Sequence, residues 1–314
     1  MFIKLHSIPV KTMSERKHPI LFGILIYSLV ACGLLVLWGG ITFFLKEDAG
    51  LGFGNRIGVV YIRGLITDSK GVVEQIKKYR KDNRVKAIIL RIDSPGGGTA
   101  ASQEIYREVQ RTVTKKRVIA AMGNVAASGG YYVALAADKI VANPATLTGS
   151  IGVIMEVSNI KELLQKIGVS REAVKSGPYK DIGSPLREMK PEERRLLEEV
   201  IQNVHQQFIE VVSRGRRLSR EQVEKIADGR IFTGQQAKTM GLVDELGSFE
   251  DAVELTKKMV GLSGEVKLIF SEKKRFSIWD LIFSEMMGDI KQSLQSNWPT
   301  TPQLLLVPPF FYQN

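Results

Sequence analysis

Two glycine-punctuated stretches carry the residues with the clearest potential for chemistry, and each closes an apolar run. Asp93-Ser94-Pro95-Gly96-Gly97-Gly98 follows Ala87-Ile88-Ile89-Leu90, and Ala126-Ala127-Ser128-Gly129-Gly130 follows Val118-Ile119-Ala120-Ala121-Met122. The first reads as a turn offering bare backbone N–H groups. The second offers a hydroxyl, Ser128, flanked by residues too small to shield it. A hydroxyl beside an anion-binding backbone loop is the minimum apparatus for acyl transfer. The plainer alternatives are a helix-capping serine and an ordinary glycine turn. The surroundings of Ser128 are not Gly-x-Ser-x-Gly, which counts against an α/β-hydrolase. Neither a phosphate loop nor a dinucleotide fingerprint is present.

A nucleophilic serine needs a base. The chain has three histidines, His6, His18 and His205. The first two precede a long apolar run, and His205 lies inside a helical pattern where a surface or half-buried histidine is the simpler reading. This scarcity disfavours a Ser-His-Asp triad and leaves lysine. A lysine amine must be desolvated to act as a base near neutrality. Lys180 stands out because Ser176-Gly177-Pro178-Tyr179-Lys180 is a constrained loop with no adjacent cation. On the local sequence alone an exposed turn lysine is the simpler reading. In Thr148-Gly149-Ser150-Ile151-Gly152-Val153, a glycine-punctuated strand, Ser150 could orient a buried amine by hydrogen bonding.

Around these stretches, strand and helix alternate. Strands are predicted over Ile57–Ile62, Val85–Ile92, Arg117–Met122 and Lys139–Ala142, and helices over Val72–Tyr79, Ala101–Val113 and Ser128–Ala136. Uninterrupted apolar strands fit a sheet buried on both faces, and the alternation predicts a parallel α/β core. The helices then lengthen. Pro191–Arg216 is the longest, with Leu197, Val200, Ile201, Val204, Phe208 and Val212 on its apolar face. Shorter helices are expected over Ile160–Ile167, from Ser219, from Thr233 and over Phe249–Val260. In the tail, Phe276–Met287 reads as an amphipathic helix against the core, a neighbouring subunit or the membrane surface, and Leu304–Val307 as a short strand.

The composition is that of a folded chain with a membrane segment. The 314 residues are 44% hydrophobic with a net charge of +11. Lysines and arginines are scattered among acids without an aromatic-rich basic motif, so anionic lipid rather than nucleic acid is the expected use of the charge. A single cysteine, Cys32, allows neither an intrachain disulfide nor a thiolate metal site. Ile20–Leu45 is uncharged for 26 residues, long enough to cross a hydrocarbon core of about 30 Å as a helix. Lys4, Lys11, Arg16 and Lys17 precede it and place the N-terminus in the cytoplasm. Leu29-Val30-Ala31-Cys32 is similar to a lipoprotein cleavage box, but Gly33–Leu45 stays apolar where a lipoprotein would turn polar.

Taken in order, these motifs resemble the short, single-repeat form of bacterial signal peptide peptidase A, a membrane-anchored serine protease family with a Ser-Lys dyad. The matching elements are Asp93–Gly97, Ala127–Tyr132, Thr148–Val153, Ser176–Lys180, Arg230-Ile231-Phe232-Thr233-Gly234, and then Ala237 and Gly241–Asp244. The resemblance covers about Arg56 to Val260. It implies Ser128 as nucleophile, Lys180 as general base, Ser150 as the residue contacting the lysine, and Gly97 and Gly129 as the oxyanion hole, with no metal or cofactor. It implies a Clp protease/crotonase-like α/β fold of β-β-α repeats in one copy, behind one transmembrane helix. The organisation expected is a cytoplasmic segment (1–19), the transmembrane helix (20–45), a linker (46–55), the peptidase domain (56–272) and a tail (273–314). The implied substrates are remnant signal peptides and other short or unfolded peptides. The implied setting is a ring-shaped homo-oligomer on the inner or plasma membrane with its catalytic domain outside the cytoplasm. Neighbouring subunits of such a ring can bring the dyad together. A crotonase-like acyl-thioester enzyme and a silent scaffold of the same fold are the alternatives.

Overall fold

The apolar runs that end in the two glycine stretches become adjacent central strands of one sheet. In a computed structural model of the chain, residues 19–48, 56–270 and 305–306 are described, and the chain divides into two units, Met1–Phe53 and Gly54–Asn314. In the first unit α1 (Pro19–Asp48) spans 30 residues and takes in the whole of the Ile20–Leu45 run. Among the described residues no helix is long and apolar enough to cross a membrane; the side chains at 19–22, 25 and 40–48 lie outside that set. The expected cytoplasmic segment up to residue 18, most of the linker and the Phe276–Met287 helix also lie outside the described residues.

In the second unit, β2 (Val85–Gly98) runs parallel between β1 (Arg56–Ile66) and β3 (Arg117–Ala127). Strand β8 (Lys267–Phe270) extends the sheet beyond β1. Strand β3 has two neighbours in succession: β4 (Lys139–Ala142) along Ile119–Ala121, and β5 (Leu147–Gly149) along Val125–Ala127. Strand β6 (Ile231–Thr233) lies antiparallel to β5, and β7 (Glu245–Leu246) parallel to β4. The result is a mixed, mostly parallel α/β sheet.

Period-2 alternation sorts the central strands onto two covered faces. Ile88, Leu90 and Ile92 of β2 join Val118, Ala120 and Met122 of β3 in the larger cluster. That face is covered by α2 (Lys70–Lys81), α3 (Thr99–Val113), α4 (Gly129–Ala134) and α6 (Pro191–Arg216), through residues such as Ile76, Ile105, Tyr131 and Phe208. Ile89 points the other way with Ile57, Ile119 and Val141, against Ala252 and Val253 of α9 (Phe249–Met259). Ile88, Ile89 and Leu90 are all 0% exposed, which is why this run carries no polar alternation.

The fold corrects one local reading. Gly96-Gly97-Gly98 is not a turn but the extended end of β2, with Gly96 opposite Leu65 and Gly97 opposite Ile66. A Cβ on Gly97 would stand 2.3 Å from the Ile66 carbonyl oxygen, so only glycine lets the two backbones run this close. Ser94 Oγ fastens the segment, donating to Gly64 O at 2.6 Å and accepting from Gly96 N at 3.1 Å. Asp93 Oδ1 accepts from Val125 N at 3.1 Å, bridging the register shift between Ile92 and Ser94. The expected tail strand is present as β9 (Leu305–Leu306), which lies antiparallel on Gly97–Gly98.

Candidate active site

Ser128 sits between the end of β3 and the start of α4, with φ 51° and ψ −117°. A non-glycine residue in that region costs on the order of 1–3 kcal/mol and persists only where its surroundings over-determine it. Here they do. The Ser128 N–H donates to Gly149 O at 2.9 Å, and its carbonyl accepts from Tyr132 N at 2.8 Å. The next turn is anchored by Tyr131, whose hydroxyl donates to Leu242 O at 2.9 Å and whose phenol is pushed above its ordinary pKa by burial. The Ser128 side chain makes no capping hydrogen bond, so the helix-cap reading fails. The residue is 1% exposed.

The two glycines singled out for the oxyanion hole meet beside this serine. A Cβ on Gly129 would lie 3.2 Å from Gly97 N and from Gly96 Cα, and 2.6 Å from Ser102 Oγ. Gly97 and Gly129 therefore touch across the β2–α4 junction, 32 positions apart in sequence. Ser150 is also close by in the backbone. Gly149 pairs with Ala127 and accepts the Ser128 N–H, and Ser150 follows it with φ 49° and its own N–H on Arg230 O at 2.8 Å. A buried hydroxyl beside closely set glycine N–H groups is competent for acyl transfer once a base reaches it.

Lys180 is not joined to this cluster. It is exposed, in a turn where its N–H donates to Gly177 O at 3.3 Å, and its side chain has no hydrogen bond or ion pair among the described residues. The loop that carries it is nevertheless held by a feature the sequence reading missed. Arg187 donates to both carboxylate oxygens of Asp181 at 2.8 Å, and to Glu193 at 2.7 and 2.5 Å. Lys175 pairs with the same aspartate. Arg187 holds the Asp181 carboxyl well below the usual range, with Lys175 adding to the effect. It also holds Glu193, 1% exposed, at about 2. Glu193 accepts from Lys190 N at 2.9 Å, tying the clamp to the first turn of α6. The signal in the sequence was Glu193, three residues after Lys190, but its arginine partner had none.

His205 is half-buried in α6. Its Nε2 has no hydrogen-bond partner among the described residues, and it shares a cavity of about 220 Å³ with Ser150 and Asp228.

Comparison with known proteins adds a family. The sequence pattern of peptidase family S49 matches residues 110–263, a span that holds Ser128, Gly129, Ser150 and Lys180. A Synechocystis sp. protein with a provisional name as a protease is 45% identical over 209 residues, covering 66% of this chain and 75% of its own length. Serine protease SPPA, chloroplastic, of Arabidopsis thaliana is 36% identical over 259 residues, covering 82% of this chain and 38% of the plant protein. An Enterococcus faecium protein with the provisional name signal peptide peptidase SppA is 42% identical over 187 residues, covering 59% of this chain and 54% of its own.

Proposed function

Because the chain belongs to peptidase family S49, as a protease of the signal peptide peptidase A type, we propose that it is a membrane-anchored serine endopeptidase that hydrolyses remnant signal peptides and other short or unfolded peptides. The observation that carries this reading is Ser128 itself: strained, buried, uncapped, and set against Gly97 and Gly129. Strain of that kind is retained where geometry matters more than stability.

The chemistry assigns a role to each group. Ser128 Oγ attacks the scissile carbonyl while the Lys180 amine takes its proton. The carbonyl oxygen becomes an oxyanion facing the N–H groups of Gly97 and Gly129. Collapse of the tetrahedral adduct breaks the C–N bond, and the lysine returns the proton to the departing amine. Water, deprotonated by the same amine, then frees the acyl half and restores the Ser128 hydroxyl. Ser150 orients the lysine. The base comes from a neighbouring copy in a ring-shaped homo-oligomer, a reading supported by the exposure of Lys180 and by the lack of a side-chain partner for it among the described residues. The peptide lies extended along the Gly97–Gly98 edge, a mode supported by the antiparallel pairing of Leu305–Leu306 there.

Anchoring by α1 is part of the same proposal, and the four cations before it support a catalytic unit outside the cytoplasm. Ser128→Ala, with its fold verified by circular dichroism, is expected to lose cleavage of a synthetic signal peptide by several orders of magnitude and to lose labelling by a serine-directed probe. Wild-type-like turnover in the folded variant would refute the assignment. An unlabelled wild-type Ser128 with thioester hydrolysis would favour the crotonase-like alternative instead.

A further inference from the structure

Away from the residues assigned to peptide cleavage, α3 and α6 border a groove of about 780 Å³ whose charge is strongly one-sided. Arg80, Arg107, Arg111, Lys115 and Arg214 line it, against the single carboxylate of Glu210. Arg107 and Arg111 are one helical turn apart on α3, and Glu210 and Arg214 are likewise spaced on α6, so two helix faces present their charges into one space.

Part of this set is fixed from beneath. Glu108 is 2% exposed and pairs with Arg80 at 2.5 Å and with Arg111 at 3.4 Å. Arg80 also donates to Thr112 Oγ1 at 3.2 Å and is itself only 15% exposed. A buried carboxylate that holds the Arg80 guanidinium in place reduces the entropy lost when it grips a ligand, while Arg111, 69% exposed, is tethered to Glu108 more loosely. Arg214 is shared with Glu210 at 3.1 Å. The side chains of Arg107 and Lys115 have no hydrogen bond or ion pair among the described residues. Counting Glu108 with Glu210, the groove keeps a surplus of three positive charges.

The uncharged lining favours the same kind of ligand. Tyr106 and Tyr132 form an aromatic floor, their rings 5.1 Å apart. Gln110 Nε2 donates to the Tyr106 hydroxyl at 2.8 Å, which leaves the phenol proton to be offered onward. A cavity furnished mainly with donors and lined by arginine forks suits clustered oxyanion charge. The carboxylates of an acidic peptide arrive one per side chain, whereas these cations converge on one cavity, as a phosphate or diphosphate group requires.

We propose that the α3–α6 groove is a binding site for a phosphate-bearing anion, with Arg80 held ready by Glu108, and Arg107, Arg111 and Lys115 as the exposed cations that close on it. The anion is either the headgroup of an anionic phospholipid or a soluble phosphate compound; the recognition chemistry is the same.

The test uses the full chain in non-ionic detergent, titrated calorimetrically with inorganic pyrophosphate. Arg107→Gln/Lys115→Gln should weaken binding by about tenfold or more, because two charge-assisted contacts are lost. Lys166→Gln/Arg171→Gln removes the same charge from an exposed segment elsewhere and should change affinity by less than about twofold, because distant surface charges are screened. Glu210→Gln should tighten binding by releasing Arg214. Soluble short-chain phosphatidylglycerol, compared with short-chain phosphatidylcholine, identifies the source. Binding of the former that is lost in the Arg107/Lys115 variant indicates a lipid headgroup, and binding of pyrophosphate alone indicates a soluble compound. The proposal is overturned if pyrophosphate does not bind at millimolar concentration, or if both charge variants weaken equally. A change in subunit assembly in the Arg107/Lys115 variant, with pyrophosphate affinity intact, would also overturn it and make the groove a contact between copies.

Discussion

Substituting Gly129 by alanine tests the proposed oxyanion geometry directly. The new Cβ would lie 2.6 Å from Ser102 Oγ and 3.2 Å from Gly97 N and Gly96 Cα. Ser102 cannot swing aside cheaply, being 0% exposed and donating to Gly98 O at 3.0 Å. Overpacking of this kind costs about 1–3 kcal/mol, which for a unit of this size lowers Tm by about 2–12 °C. Relief must come partly from the Gly96–Gly97 backbone, which moves the proposed Gly97 donor. Displacing one such donor costs about 10²–10³ in kcat with little change in KM. Ser102→Ala separates the two effects. Alone it removes one hydrogen bond, about 0.5–1.5 kcal/mol. Combined with Gly129→Ala it removes the 2.6 Å clash and should recover most of the lost Tm, but not the rate, because the 3.2 Å contacts with the Gly96–Gly97 backbone remain. The assays are cleavage of a synthetic signal peptide and thermal unfolding followed by circular dichroism. A Gly129→Ala protein with wild-type kcat, or a double variant that recovers kcat along with Tm, would refute the placement of Gly97 and Gly129 around the reacting carbonyl.

Lys180→Arg and Lys180→Ala should both be inactive, since a guanidinium cannot give up its proton in a protein; co-expressed Ser128→Ala and Lys180→Ala chains should regain part of the activity, and no recovery after demonstrated co-assembly would refute a dyad shared between chains. The Arg187 clamp makes an acid-stability prediction. Glu193 is held at about 2, below its ordinary 4.5, so its contribution is complete above about pH 4.5 and fades as pH falls toward 2. The stability gap between wild type and Glu193→Gln in urea should therefore narrow across that window, and a constant gap would sink the assignment. For topology, a reporter enzyme active only outside the cytoplasm, fused after Val260, should be active; activity of a cytoplasm-only reporter at the same position would show the orientation to be inverted.

The sequence by itself determined what depends on a few neighbouring residues. Ile88-Ile89-Leu90 and Val118–Met122 are strands because continuous β-branched and apolar residues fit a sheet buried on both faces. Pro191–Arg216 is a helix because its apolar side chains recur at helical spacing and proline suits its first turn. The motif order from Asp93 to Asp244 identified the family. Strands β6 and β7 escaped because two or three residues carry no period, whereas β8 was missed although its apolar run is as long as that of β4. Tertiary structure alone decided the rest. It turned Gly96-Gly97-Gly98 from an expected turn into a strand end, since the deciding contact is with Ile66, a residue of another strand. It set Ser128 against Gly149, Gly129 against Gly97, and Arg187 between Asp181 and Glu193. It left Lys180 exposed in a loop rather than beside Ser128. Periodicity and steric freedom are properties of a short stretch of chain, whereas the meeting of distant groups is set by how the sheet and helices pack together, which no local window contains.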